Sequence, residues 1–378
     1  MWIYFLIYIF FFFIYILFGK NVKNIKLLVF SLSFLTIFVG ISDMLGGYDR
    51  YIYGELFDRM ADVTKSGGNP LTSESFQFYA GDFGYGTLCA LITYITNNRY
   101  IFIFIVTVIV YILLFISIRD YTSNYPFAVL LFLALWFFFT FTYLRQVLSV
   151  TTAWLAIRYI SRRDLKKFLL VWFIAFSFHN SALIFLPIYF VPIKKYHEKY
   201  ILTIMGIALL IGLTPIPSGL FQAYAEIDVQ RVNVEILALE GTFRFAYLIE
   251  ALFFLFIILS HYRQIPKKPK TIVLTNMALI FCAILLVFIR SENGGRLGWF
   301  YMMGCITTIT TVCHLRNNNQ NRLIILVVTV FLYFRIVTSW DILLSPYKTF
   351  FTDGFRENDN VHTEYEYDAN YDKDKFYR

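Results

Sequence analysis

Apolar runs of near membrane-spanning length recur ten times along this chain, and no other feature restricts its fold so severely. They lie at Trp2–Phe18, Leu27–Ile41, Tyr100–Ile118, Phe127–Phe141, Leu144–Ile160, Tyr200–Leu213, Phe245–Ser260, Thr271–Ile289, Leu297–His314 and Leu323–Val337. A helix needs about 20 residues to cross the hydrocarbon core. Hydrophobic residues make up 58% of the 378 and charged residues 15%, against roughly 25% charged in a soluble domain. That much apolar surface exceeds what a water-soluble core of this length can hide. Soluble enzyme, nucleic-acid binder and disordered scaffold are excluded. The chain reads as an all-α polytopic integral membrane protein. Trp2–Phe18 lacks the basic start and small-residue cleavage site of a signal peptide, so it is expected to be an uncleaved span.

The net charge of +8 then reports topology, because Lys and Arg concentrate in short cytoplasmic loops. The segment Phe168–Val191 is the informative exception. Its centre reads Ser177-Phe178-His179-Asn180-Ser181, and basic residues flank it on both sides: Arg162, Arg163, Lys166 and Lys167 before, Lys194 and Lys195 after. A single span would place these flanks on opposite sides. A short re-entrant hairpin with its apex at His179 keeps both inside, provided the apex is buried in protein or faces water. The remaining basic loops then align inside, at Lys20–Lys26, Arg119, Lys199, Arg263–Lys270 and Arg316–Arg322. About twelve membrane-embedded helices follow, with both termini outside and two larger outer segments, Ser42–Arg99 and Thr214–Arg244. Residues 1–350 are expected to form one transmembrane domain, and 351–378 a polar, poorly ordered tail. Cys89, Cys282, Cys305 and Cys313 form no Cys-x-x-Cys pair, so they read as small hydrophobes.

The outer segments use arginine almost to the exclusion of lysine. Arg50, Arg59, Arg145, Arg231, Arg244, Arg290 and Arg296 lie there, with Lys65 the sole lysine in the outer loops between spans. Guanidinium offers a planar fork to phosphate or carboxylate, where lysine is a mobile point charge. The pattern points to an anionic group held outside; the competing reading is that each arginine snorkels or pairs locally. Arg145 is the strongest case, since Arg145, Ser149, Thr152 and Ala156 form a small, polar stripe along one helix. Such stripes pack against other helices rather than lipid, and a charge there is usually functional. His179 either reaches a cavity open to the outside or caps the preceding helix. Arg290-Ser291-Glu292-Asn293-Gly294-Gly295-Arg296 forms a tight outer turn, either an anion site or a plain interfacial turn. Asp228, Arg231 and Glu235 share a face of an amphipathic stretch, Glu226–Leu239, that reads as a surface helix or lid. There is no Gly-x-x-x-x-Gly-Lys-Ser/Thr, His-Glu-x-x-His or Gly-x-Ser-x-Gly motif, and no carboxylate cluster suited to a divalent metal. No metal and no cofactor are expected.

The stretch Tyr143-Leu144-Arg145-Gln146, Arg158-Tyr159, Lys166-Lys167-Phe168, Ala175 to Ile184 and Leu186-Pro187 resembles the EpsG family of polysaccharide polymerases, relatives of the Wzy O-antigen polymerases. That family carries an Arg-Gln at a helix start and a Phe-His-x-Ser/Thr-Ala-Leu turn some thirty residues later. Weaker similarities lie in Gly47-Tyr48-Asp49-Arg50-Tyr51, in Asp82-Phe83-Gly84-Tyr85 (Asp where the family has Glu), in Arg296 before Trp299-Phe300-Tyr301, and in Pro346-Tyr347-Lys348. The resemblance implies a GT-C-like membrane glycosyltransferase. It would polymerise undecaprenyl-pyrophosphate-linked oligosaccharide units at the outer face of the bacterial inner membrane. It further implies roles for particular residues. Arg145, Arg296 and His179 would be catalytic. Arg290, Glu292, Arg50, Asp49, Tyr51, Asp82, Tyr85, Arg231 and Arg244 would bind substrate, with Glu292 or Asp82 a candidate base. The expected partners are the lipid-linked substrates, the bilayer and a chain-length-regulating membrane protein, without nucleic acid. A lipid-linked oligosaccharide flippase and a membrane O-acetyltransferase are the competing functions.

Overall fold

In a computed structural model, residues 1–19, 22–43, 48–217, 219, 242–291, 294–315 and 319–351 are described. Among them the chain is helical, without a strand. The first two apolar runs form α1 (Trp2–Phe18) and α2 (Ile25–Gly40), the latter capped by Asn24, which accepts the Leu27 N–H. Then follow α3 (Tyr48–Lys65), α4 (Glu74–Phe78), α5 (Phe83–Thr93), α6 (Arg99–Tyr121), α7 (Tyr125–Leu135), α8 (Leu144–Leu155), α9 (Ile157–Arg162), α10 (Leu165–Phe178) and α11 (Glu198–Leu213). The later helices are α12 (Phe245–Ser260), α13 (Pro269–Val287), α14 (Gly294–Gly298), α15 (Met302–Cys313), α16 (Asn319–Ser339) and α17 (Asp341–Leu344). By length and apolarity α6, α13 and α16 qualify as membrane-crossing helices, while α1, α2, α7, α12 and Asn180–Phe190 are apolar but shorter.

Several runs that read as single spans are broken. Phe127–Phe141 becomes α7 and a 3-10 turn, Phe137–Phe141, separated at Trp136. Leu144–Ile160 divides into α8 and α9 around Ala156, and Leu297–His314 begins with α14 and a 3-10 turn, Trp299–Tyr301, before α15 starts. Apolarity reports the environment of a run; it does not report where the backbone hydrogen-bond pattern changes. After α10 the chain continues as a 3-10 helix over Asn180–Phe190 containing Pro187, which has no N–H to donate. The segment 48–93, read as an outer loop, is largely helical. Its helical period is visible once burial is known: Tyr53, Phe57 and Met60 are all buried along α3.

The chain divides into two compact units. The first comprises Met1–Thr152, Phe173–Asn180 and the described residues from Leu323. Here Phe57 stacks on Phe102 at 4.3 Å, and Arg99 forms a buried ion pair with Asp58. The segment after α17 is stitched to the end of α2. Asp43 N–H donates to Lys348 O and Phe350 N–H to Ile41 O, while the Tyr347 ring stacks on Phe38 at 4.3 Å. The second unit comprises Ala153–Trp172 and Ser181–Arg322. Its helices approach closely at glycines. A Cβ on Gly304 of α15 would lie 2.7 Å from the Leu274 carbonyl oxygen of α13, and one on Gly212 of α11 would lie 2.9 Å from that of Val287. Small residues serve this purpose between helices in lipid.

Within the second unit the chain also folds back on itself. Trp172 Nε1 donates to Ala182 O at 2.8 Å, the Phe168 ring lies 4.9 Å from that of Tyr189, and Arg163 donates to Tyr189 O and to Val191 O. The residues pairing across this bend, 172 with 182, 168 with 189 and 163 with 191, place its tip between Trp172 and Ala182.

Candidate functional site

The site forms in the first unit around Arg145, in the first turn of α8. A cation there opposes the helix dipole, at a cost of a few tenths to about 1 kcal/mol, so something else must hold it. Asp82 does: its Oδ2 accepts from Arg145 Nη1 at 2.7 Å. Asp82 precedes α5, in the position where an Asp ordinarily accepts N–H bonds from its own helix. It makes no such cap. Its carboxylate is turned away from α5, toward Arg145 and toward the Asn180 N–H, which donates to Oδ1 at 3.1 Å.

Two tyrosines complete the cradle. Arg145 Nε donates to the Tyr53 hydroxyl at 3.3 Å, and the guanidinium carbon lies 5.2 Å from the centre of the Tyr53 ring and 5.6 Å from that of Tyr79. Desolvated contacts of this kind contribute about 2 kcal/mol. Tyr85 backs both, with ring centres 5.8 Å from Tyr53 and 5.3 Å from Tyr79. Asp82, Tyr79 and Tyr85 are fully buried, while the Arg145 side chain keeps 12% of its surface exposed. Among the described residues, Arg145 Nη2 donates to no protein group. The arrangement is therefore a guanidinium fixed at Nε and Nη1 with the Nη2 N–H donors left over, suited to an anion that approaches from the exposed part of the side chain.

The turn after α10 is fixed from the same side. Ser149, one helical turn beyond Arg145 on the polar stripe, donates to Ala175 O at 2.7 Å and to His179 O at 3.5 Å. Gly84 lets α5 approach: a Cβ there would lie 2.7 Å from Ser177 Cβ and 3.0 Å from its carbonyl carbon. His179 itself is half-buried beside Asn180. The stripe read from sequence thus turns Arg145 and Ser149 to the site, while Thr152 Oγ1 bonds within its own helix to Leu148 O.

The structure brings together Arg145, Asp82, Tyr85 and the His179 turn. The other candidates have contacts of their own. Arg50 is wholly buried and donates to Phe141 O, Val39 O and Ser42 O at 3.0, 3.1 and 3.1 Å, tying α2 to the 137–141 turn. Asp49 is half-buried at the start of α3, and Tyr51 is buried. Arg244, Arg290 and Arg296 belong to the second unit. The Arg244 N–H donates to Ile289 O, Arg290 Nη1 donates to Leu213 O at 3.2 Å, and Arg296 lies over Trp299 at 5.9 Å. Gly295 N–H donates to the Tyr247 hydroxyl, which docks the start of α14 on α12. Glu292, Arg231 and the amphipathic stretch Glu226–Leu239 lie outside the described residues, as does the tail from 352.

Sequence reasoning missed Tyr79, the Asn180 amide and the close approach at Gly84. Tyr53 and Tyr79 come from different elements and share no spacing with Arg145. The local signal is Arg145 itself, a cation in a helix's first turn that the dipole disfavours unless it has a partner elsewhere; Asp82, just before another helix, reads from sequence as an ordinary cap.

Neither a search of curated proteins nor one of solved structures returns a match. Residues 27–349, well over half of the chain, do match the EpsG family, and the protein therefore belongs to that family, as a membrane-embedded protein of polysaccharide-polymerase type.

Proposed function

We propose that this protein joins lipid-linked oligosaccharide repeat units into a polysaccharide at the outer face of the bacterial inner membrane. The bond from the donor's anomeric carbon to the undecaprenyl pyrophosphate breaks, and its electron pair leaves with the pyrophosphate. A hydroxyl at the non-reducing end of a second lipid-linked unit forms the new glycosidic bond and gives up its proton. The observation that carries this reading is Arg145, held at Nη1 by Asp82 and at Nε by Tyr53, while among the described residues Nη2 donates to no protein group and the side chain stays partly exposed. Donors aimed at charge that develops on a leaving group stabilise the transition state selectively. A guanidinium does so without needing a divalent ion, so turnover is expected to survive excess chelator. In this reading His179 orients the pyrophosphate or moves a proton, the residues around Asp49–Tyr53 meet sugar, and Arg290 and Arg296 are further candidates for holding an anionic group.

The reading includes about twelve membrane-embedded helices, with α10 and Asn180–Phe190 as the two arms of a re-entrant hairpin. Its support is the contact of Arg163 with Tyr189 O and Val191 O, which joins the basic flanks at one end.

The test is a strain lacking this protein, with its lipid-linked intermediates extracted and sized. Single repeat units accumulating on the outer leaflet are expected, with polymer restored by the intact gene. Accumulation on the inner leaflet would instead indicate a flippase. Normal chains lacking acetyl groups would indicate an acetyltransferase.

A further inference from the structure

The strongest geometric feature of the site is a carboxylate that bonds two elements at once. We infer that Asp82 is a positioning residue: one oxygen fixes the Arg145 guanidinium, the other grips the Asn180 amide, and the arginine and the His179 turn are thereby held in one register. This inference rests on the proposed role of Arg145 in stabilising the leaving group.

Three observations support it. Asp82 is fully buried, so its carboxylate is not presented to a sugar hydroxyl from solvent. Its two carboxylate oxygens each hold a partner from a different element, α8 at 2.7 Å and the start of the Asn180–Phe190 segment at 3.1 Å. It also forgoes the cap of its own helix to do so. A residue acting as the acceptor's base would need an oxygen presented to substrate. Asp82 presents its oxygens to protein.

The pairing has a second consequence. Asp82 neutralises Arg145, so the site attracts an anion through directed N–H donors rather than through net charge. Such a site gains little from binding the ground-state pyrophosphate and more as charge builds on the departing oxygen, which is the differential that accelerates a reaction. Replacing Asp82 with Asn removes the counter-charge and loosens the geometry. Donor binding should hold or tighten while turnover falls.

The experiment is a double-mutant cycle on the purified full-length protein in lipid. The substrate is the mixture of lipid-linked repeat units extracted from a strain lacking it. Rates are taken per folded protein, from a monodisperse peak in detergent. Asp82→Asn should lower kcat about a hundredfold, the cost of roughly 1 Å of misplacement, with KM for the donor unchanged or lower. Arg145→Lys should lower kcat about 10²–10³-fold. Because the two act as one unit, the double variant should fall no more than about threefold below the worse single one. If Asp82→Asn costs the same factor in both backgrounds, Asp82 does not act through Arg145 and the inference is wrong. If an acid limb of the wild-type pH profile disappears in Asp82→Asn, the residue is a base and the inference is equally wrong. If Arg145→Lys turns over at the wild-type rate, the arginine assignment itself fails, whichever way the cycle reads. Should Asp82→Asn not yield folded protein, the same cycle is run with Asp82→Glu, which keeps the charge and moves it by one methylene, and is judged by the same coupling.

Discussion

At the scale of single residues, the decisive feature is that the two charges of the site depend on each other for burial. Removing one partner of a buried pair strands the other, at a cost of about 3–5 kcal/mol. Arg145→Ala is therefore expected to lower the amount of folded protein as well as its activity, because Asp82, wholly buried, loses its cation. Arg145→Ala combined with Asp82→Asn should recover the protein level on an immunoblot of membranes while single repeat units still accumulate. Recovery of polymer in that double variant would show the arginine to be structural. A control charge on another loop must be chosen from structure. Arg163 reads as an ordinary loop cation, yet it adopts a left-handed backbone conformation at φ 56° and donates to Tyr189 O and Val191 O. Lys166 is exposed, and Lys166→Ala should polymerise at near the wild-type rate.

At the scale of elements, the site exists because α5 and the end of α10 touch. Gly84 permits the contact, and its neighbour Gly81 has open space where a Cβ would go. Gly84→Ala places a methyl group 2.7 Å from Ser177 Cβ, and overpacking of this kind costs about 1–3 kcal/mol. The two helices must part, and the Asp82 to Asn180 hydrogen bond is the first to lengthen. A lowered unfolding temperature and a loss of turnover of about tenfold or more are expected, with Gly81→Ala unaffected in both. Ser177→Gly should restore Gly84→Ala more fully than Ser177→Ala, which removes the Oγ nearest the new methyl group but keeps the obstructing Cβ. Failure of both Ser177 changes to restore it would show that the obstacle is backbone alone, and equal rescue would assign it to the Oγ. The same logic applies in the second unit, where Gly212 and Gly304 bring α11 and α15 against α13.

At the scale of the whole molecule, the issue is which way the chain runs through the bilayer. The paired arms after Arg163 predict that single cysteines replacing Lys166 and Lys194 react only with membrane-permeant reagents, both from the cytoplasmic side. A cysteine at Ser181, near the tip, should react with an impermeant reagent added outside. The natural cysteines, Cys89, Cys282, Cys305 and Cys313, are buried and are replaced beforehand. Labelling of Lys166 and Lys194 from opposite sides would turn the hairpin into a single span and invert everything after it.

Sequence by itself determined the solvent this protein folds in and the family to which it belongs. Both depend on properties that survive averaging along the chain: the length of apolar runs, the scarcity of charge, and a motif whose residues lie close together between Arg145 and Pro187. The boundaries of α1 and of α12 were legible for the same reason, since each is one uninterrupted apolar run. Tertiary structure alone decided where helices break, as at Trp136 and Ala156, because a change in the backbone hydrogen-bond pattern leaves the polarity of the sequence unchanged. It alone decided that residues 48–93 are largely helical, because the buried face of α3 is set by the helices it meets. It also separated arginines that composition makes alike. Arg50 directs Nη1 and Nη2 to three backbone carbonyls, whereas among the described residues Arg145 Nη2 donates to no protein group. A guanidinium's role is fixed by which acceptors surround it, and those acceptors come from parts of the chain as distant as Asp82 and Tyr53, brought together by packing.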